Sequence, residues 1–117
     1  MKHKLVKWKE VEDFIKNLSE RLPKKISGVY GIPRGGLCMA VMLSHYANIP
    51  VLQAPCKNCI VIDDIADTGL TLLHCKEKGY FIATMYYHKQ SKVVPNYYEK
   101  EKKDQWIVFP WEIQKEV

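Results

Sequence analysis

Apolar residues recur at three- and four-residue spacing through Val11, Phe14, Ile15, Leu18 and Leu22, which lays one face of a helix on a core. Pro23 stops that helix. From Ile26 to Ile32 the pattern shifts to β-branched and aromatic residues, predicting a strand that runs into the Gly-rich stretch Gly31-Ile32-Pro33-Arg34-Gly35-Gly36. Leu37 to Ala47 reads as a helix, Ile49 to Ala54 as a short second strand, and Pro55 to Asn58 as a tight turn. The apolar run Ile60-Val61-Ile62 predicts a strand buried on both faces, and Asp63 and Asp64 end it. Thr68-Gly69-Leu70-Thr71 opens a helix that closes near Gly79. Tyr80 to Tyr87 is a fourth strand, the lysine-rich stretch from His88 to Gln105 reads as a loop, and Trp106 to Phe109 is a short fifth strand before Pro110.

Helices alternating with strands predict an α/β fold: a single-domain parallel sheet of about five strands flanked by helices, joined by right-handed connections. With 117 residues, 47% of them hydrophobic, the chain is long enough to bury a core and too short for a second one, so residues 1–117 are expected to form one domain. In the strand order 2-1-3-4-5 the loops after the first and third strands face each other at the switch point, where open α/β sheets bind ligands. Those two loops are the most unusual stretches of the chain.

Charge adds a weaker indication. The formal net charge is +5, and lysines, rather than arginines, carry nearly all of the positive charge and are scattered along the chain, which suits anionic ligands. No arginine-rich arm, zinc-finger spacing or aromatic RNA-binding signature is present, so nucleic acid is not an expected partner. Met1 to Trp8 lacks an apolar signal core, and no apolar run approaches the roughly 20 residues of a membrane span, so a cytoplasmic protein with no membrane association is expected. Cys56 and Cys59 form a lone C-x-x-C without a second half, and read as turn thiols rather than a zinc site.

The most specific stretch is Ile60-Val61-Ile62-Asp63-Asp64-Ile65-Ala66-Asp67-Thr68-Gly69-Leu70-Thr71. Backbone N–H groups from Ala66 through Asp67, Thr68, Gly69 and Leu70 to Thr71 lie at a helix N-terminus and suit a phosphate. Two adjacent carboxylates make poor neighbours for a phosphate but good acceptors for vicinal ribose hydroxyls, directly or through Mg²⁺ held partly by water. Alternatively, Asp63 and Asp64 cap the next turn and Thr68 caps the helix. Apolar strand, acid pair and Thr-Gly loop in this order resemble the motif of type I phosphoribosyltransferases that binds 5-phosphoribosyl-1-pyrophosphate (PRPP).

That resemblance implies further roles. Asp67 matches the acid that, in the purine-specific branch, lies near the purine N7 and serves as general base; beside a helix N-terminus it is also simply favourable. Tyr30 to Leu37 looks like the family's pyrophosphate loop, in which Arg34 supplies a cationic fork and Gly35 and Gly36 bring amides to the anion. Trp106 to Glu112, with Lys89 upstream, resembles the base-binding end of microbial xanthine-guanine phosphoribosyltransferases. Trp106 would then stack on the purine, the Ile107 backbone would read the base edge, and Lys89 would donate to O6; otherwise Trp106 and Trp111 are core aromatics and Lys89 a solvated charge. The implied reaction moves the phosphoribosyl group from PRPP to guanine, xanthine or hypoxanthine in purine salvage, with Mg²⁺ as cofactor and Arg34 and Asp67 at the chemistry. The family also implies a homo-oligomer, a dimer.

The chain departs from the family in one place. A long flexible loop ordinarily precedes the PRPP-motif strand and closes over the site, whereas Val51 to Cys59 is too short to act as a lid. Cover would have to come from a partner subunit or from Lys89 to Lys103 folding over the site. The alternative is a catalytically weak PRPP- or nucleotide-binding regulatory protein.

Overall fold

The computed structural model describes residues 2–113. The chain runs β1 (Lys2–Leu5), α1 (Trp8–Ser19), β2 (Gly28–Gly31), α2 (Leu37–Ala47), β3 (Cys59–Ala66), α3 (Leu70–Glu77), β4 (Phe81–Tyr87), β5 (Tyr97–Glu101) and β6 (Gln105–Val108). The predicted face of α1 is the observed one: Val11, Phe14, Ile15 and Leu18 are all fully buried. With α2, these side chains cover one face of a parallel four-stranded sheet of order β2-β3-β4-β5, meeting Val29, Ile60, Ile62, Ala83 and Met85. On the other face α3 sets Leu72 and Cys75 against Val61 and Ile82. Strand β3 is thus apolar on both sides, as its run of Ile60, Val61 and Ile62 requires.

The predicted strand at Ile49–Ala54 shrinks to one parallel bridge, Val29 to Val51, on the outer edge of β2. Pro50 and Pro55 carry no N–H, so a longer ladder cannot form there. The order at the switch point is still the expected one, because the chain passes from β2 outward to Val51 and then back inside to β3.

Two readings are corrected. The stretch taken as loop contains β5, whose Tyr97 pairs with Ala83 and stacks on Phe14 with ring centroids 6.2 Å apart. This polar strand closes the main sheet, and its Lys and Glu side chains discourage further pairing. The expected fifth strand, here β6, lies outside that sheet and pairs in parallel with β1, Lys2 opposite Gln105 and Leu5 opposite Val108. Strand β1 had no apolar alternation to announce it. Because β5 belongs to the sheet, the segment Lys89 to Lys103 is not available as a lid.

Glu10 ties these parts together. Its carboxylate accepts from Lys4 Nζ at 2.8 Å, from the Lys7 N–H at 2.8 Å and from Lys100 Nζ at 3.4 Å, joining β1, α1 and β5. The Lys4 hydrogen bond is the chief reason that its carboxyl is pushed down from 4.5 to about 2. A depressed pKa stabilises the fold above the unfolded value, and that stability is lost as pH falls through 4.5 toward about 2. Discounted for partial exposure, Glu10→Gln should cost about 1–2 kcal/mol at neutral pH. Urea melts of both proteins at pH 7 and pH 3 check this: the gap should narrow at pH 3, and a gap of equal size at both would refute it.

Candidate active site

Both unusual loops emerge at the carboxyl ends of β2 and β3. The first is pinned by backbone hydrogen bonds, Ile32 N–H to Ile62 C=O at 2.9 Å and Gly36 N–H to Ile32 C=O at 2.8 Å. The Pro33–Arg34 peptide is cis. Gly35 then passes so close to the acid pair that an added Cβ would lie 2.2 Å from Asp64 Oδ2. Arg34, Gly35, Asp64, Trp111 and Glu112 line an open cleft of about 680 Å³. Trp111 stacks on Phe109 with centroids 5.0 Å apart, fixing that wall. Arg34 is exposed, so its fork is free to meet an anion entering the cleft.

Asp63 is buried to 8% exposure and Asp64 stands beside it. Burial above all, and then the neighbouring Asp64 charge, push the Asp63 carboxyl well above the usual carboxylate range. One oxygen of each is already engaged by backbone: Asp63 Oδ1 accepts the Asp64 N–H at 2.8 Å and Asp64 Oδ1 accepts the Ile65 N–H at 2.7 Å. The two carboxyls also share a side-chain hydrogen bond, which adds to the upward push on Asp63. Thr84, directly in register with Asp63 on β4, has a fully buried hydroxyl with no partner among the described residues.

Past the acids, Asp63, Ala66, Asp67, Thr68, Gly69 and Thr71 line a recess of about 100 Å³ at the start of α3. Gly69 has φ +84° and caps the helix, a conformation that L side chains rarely adopt. Behind it, the chain from His88 to Val93 braces the loop, with His88 N–H on Ala66 C=O at 2.9 Å and Lys92 N–H on Thr68 C=O at 2.8 Å. The recess can therefore present N–H groups and the Thr68 and Thr71 hydroxyls to an anion without collapsing.

The structure thus brings together Arg34, Gly35, Asp64 and Asp63, and continues along β3 into Ala66–Thr71. It spreads the predicted base-binding residues more widely. Lys89 is on the rim of a second cavity of about 420 Å³ with His88, Glu101, Lys102, Lys103 and Asp104. Its ammonium pairs with Glu101 at 3.6 Å, and its side chain is 78% exposed. Trp106 is exposed on β6, whereas Ile107 beside it is buried. Asp67 is held by two residues that sequence reading missed: Gln90 Nε2 donates to Oδ1 at 3.0 Å, and Lys102 Nζ to Oδ2 at 3.4 Å. Nothing in the sequence distinguishes Lys102 from its neighbours Lys100 and Lys103. Trp111 and Glu112, inside the stretch that resembles the base-binding end, are the part of it that lines the cleft with Arg34 and Asp64.

No family model matches the chain. The fold matches the crystal structure of a purine phosphoribosyltransferase from Pyrococcus horikoshii with a TM-score of 0.85 and 30% identity, covering 100% of this chain and 99% of that one. A xanthine-guanine phosphoribosyltransferase from Nitratidesulfovibrio vulgaris is 27% identical, over 92% of this chain and 83% of the relative. That alignment runs over 136 positions against the 117 residues here, so the relative carries segments without a counterpart in this chain. The xanthine-guanine-hypoxanthine phosphoribosyltransferase of Helicobacter pylori shares the fold, with a TM-score of 0.75 at 17% identity over 95% of this chain and 94% of that one. Among the described residues no helix is long and apolar enough to cross a membrane.

Proposed function

From the membership of this chain in the type I phosphoribosyltransferase family, as an enzyme acting on purines, we propose that it transfers the 5-phosphoribosyl group of PRPP to guanine, xanthine or hypoxanthine in purine salvage. The observation that supports the reading is the close approach of Gly35 to Asp64, which sets the Arg34–Gly36 loop beside the acid pair, with the recess at the start of α3 just beyond. One substrate carries a diphosphate, a diol and a phosphate in that order.

In this reading the 5-phosphate rests on the amides of Ala66 to Thr71, the ribose hydroxyls on Asp63 and Asp64, and the diphosphate on Arg34, Gly35 and Gly36. A purine nitrogen bonds to C1′ as the C1′–O bond breaks and pyrophosphate leaves. Arg34 and the loop amides take up the developing diphosphate charge. The N7 proton of the incoming base passes to Asp67. Trp106 offers a surface for stacking, with Ile107 and Lys89 on the base side.

Two adjacent carboxyls, one of them buried, are a donor set for a hard cation that takes its remaining ligands from water and substrate. Asp63 and Asp64 would hold Mg²⁺, which when bound would neutralise charge on the ribose and diphosphate. The open cleft leaves cover to a second copy of the chain, and we take the enzyme to be a dimer that works in the cytoplasm.

The test is product formation from PRPP with guanine, xanthine, hypoxanthine, adenine, uracil and orotate in parallel. A lysine donor suits a 6-oxo group and leaves a 6-amino group unmatched. An unpaired buried polar group costs about 1–3 kcal/mol, so 6-oxopurines should lead adenine by about tenfold or more. A pyrimidine or adenine as best acceptor would refute the 6-oxopurine assignment.

A further inference from the structure

The transfer chemistry leaves the C-x-x-C pair unused. Cys56-Lys57-Asn58-Cys59 is a reverse turn, in which the Cys59 N–H donates to the Cys56 C=O at 3.3 Å and Asn58 takes a left-handed φ of 64°. Such a turn holds its first and last Cα within about 7 Å, and a disulfide spans Cα atoms about 4.4–6.8 Å apart. Both sulfurs lie over the turn. Cys59 Sγ accepts the Cys56 N–H at 3.3 Å, so its side chain folds back toward residue 56, and Cys56 Sγ meets the Ser27 hydroxyl at 3.6 Å. Ser27 is itself fixed to the turn: its N–H donates to the Asn58 C=O at 2.7 Å and its hydroxyl to the same oxygen at 3.0 Å. Burial chiefly pushes the Cys59 thiol up, and a hydrogen bond with the Cys56 side chain adds to the push, which sets the two thiols in contact.

The pair is asymmetric. Cys56 is exposed, whereas Cys59, the first residue of β3, is 1% exposed. Only a thiolate attacks a disulfide, so burial of Cys59 leaves the first attack to Cys56. The two remaining thiols are placed differently. Cys38 is on α2, which covers the other face of the sheet, and Cys75 is buried on α3 in the apolar cluster of Cys59, out of reach of a dissolved oxidant.

We propose that Cys56 and Cys59 form a dithiol–disulfide site that exchanges with low-molecular-weight disulfides such as glutathione disulfide. The Cys56 thiolate attacks one sulfur of the small disulfide; that S–S bond breaks, a mixed disulfide forms on Cys56, and one small thiolate leaves. The Cys59 thiolate then attacks Cys56 Sγ, the protein S–S bond forms, and the second small thiolate leaves. The protein gives up two electrons and two thiol protons, and the small disulfide is reduced to two thiols that take up both. In a reducing compartment such a bridge is transient. It closes at the amino end of β3, ahead of the acid pair, and does not depend on the transfer reaction proposed above.

The test is run on the full chain carrying Cys38→Ser, which removes the partly exposed thiol of α2 and leaves three of the four cysteines. The protein is incubated with excess glutathione disulfide, quenched in acid, and read by thiol titration and mass spectrometry. It should lose two of the three thiols, carry no glutathione, and regain all three on reduction. With Cys59→Ser added, the reaction should stop at the mixed disulfide, one glutathione per chain; with Cys56→Ser added, none should be taken up. With Cys75→Ser added, the bridge should form as before. Trypsin cuts after Lys57, so a Cys56–Cys59 bridge ties residues 35–57 to residues 58–76, whereas a Cys59–Cys75 bridge lies within the second peptide. The same linked peptides should appear in wild type, and that map decides the matter should Cys59→Ser fail to fold. A stable glutathione adduct on Cys56 with Cys59 still free, a bridge to Cys75, or three thiols left intact would each overturn the proposal.

Discussion

Replacing Asp63 and Asp64 together by Asn should lower the affinity for Mg·PRPP at least a hundredfold while leaving the protein folded. In the proposed site each carboxyl accepts from a ribose hydroxyl, and a hydrogen bond to a charged group contributes about 1.5–3 kcal/mol, so two lost together exceed two orders of magnitude. The fold should tolerate the change because an Asn carbonyl can still accept the Asp64 and Ile65 N–H groups that now end on Oδ1. Relief of the repulsion that, with burial, drives the Asp63 carboxyl upward should leave the unfolding temperature equal or higher. Calorimetry with PRPP and thermal melts separate the two effects. Unchanged PRPP affinity in a folded double variant would remove the ribose site from β3.

Much of this centre was legible in the residues because its demands are local. A strand buried on both faces needs a continuous apolar run, and Ile60, Val61 and Ile62 supply it; the acids and the Thr-Gly turn then follow in the same short stretch. The helix face of α1 was equally plain, since its four buried residues share one period. What was hidden depends on pairing across the chain. β1 and β5 are edge strands of Lys, His, Glu and Tyr, polar because one side meets water, and such strands carry no run or alternation strong enough to stand out. The trace from β5 to β6 therefore looked like loop, and with it the position of Lys102 was lost. Its contact with Asp67 spans 35 residues and exists only because β5 lies beside β4. The placement of β6 beside β1, rather than on the main sheet, is likewise a tertiary outcome that an apolar tetrad cannot declare.

Gly35→Ala should cut kcat/KM at least a hundredfold, through geometry alone. Gly35 is not a left-handed position, so alanine is acceptable to its backbone, and the penalty is purely one of space. Its Cβ would stand 2.2 Å from Asp64 Oδ2 and 2.4 Å from Cγ, distances that no packed carbon tolerates. The loop cannot retreat without breaking the hydrogen bonds of Ile32 to Ile62 and of Gly36 to Ile32, so the Asp64 carboxylate turns away or the diphosphate loop lifts. Either motion separates two groups that hold one substrate in the proposed site, and a misplacement of about 1 Å can cost about 10²-fold in rate. The control is Gly79→Ala, at φ +76° with open space around it. That change should lower stability by about 1 kcal/mol, from backbone strain, and leave kcat/KM within twofold. Steady-state kinetics and melts on both variants distinguish a crowded site from a strained backbone, and a Gly35→Ala enzyme with wild-type PRPP affinity would mean that the two loops do not share a ligand.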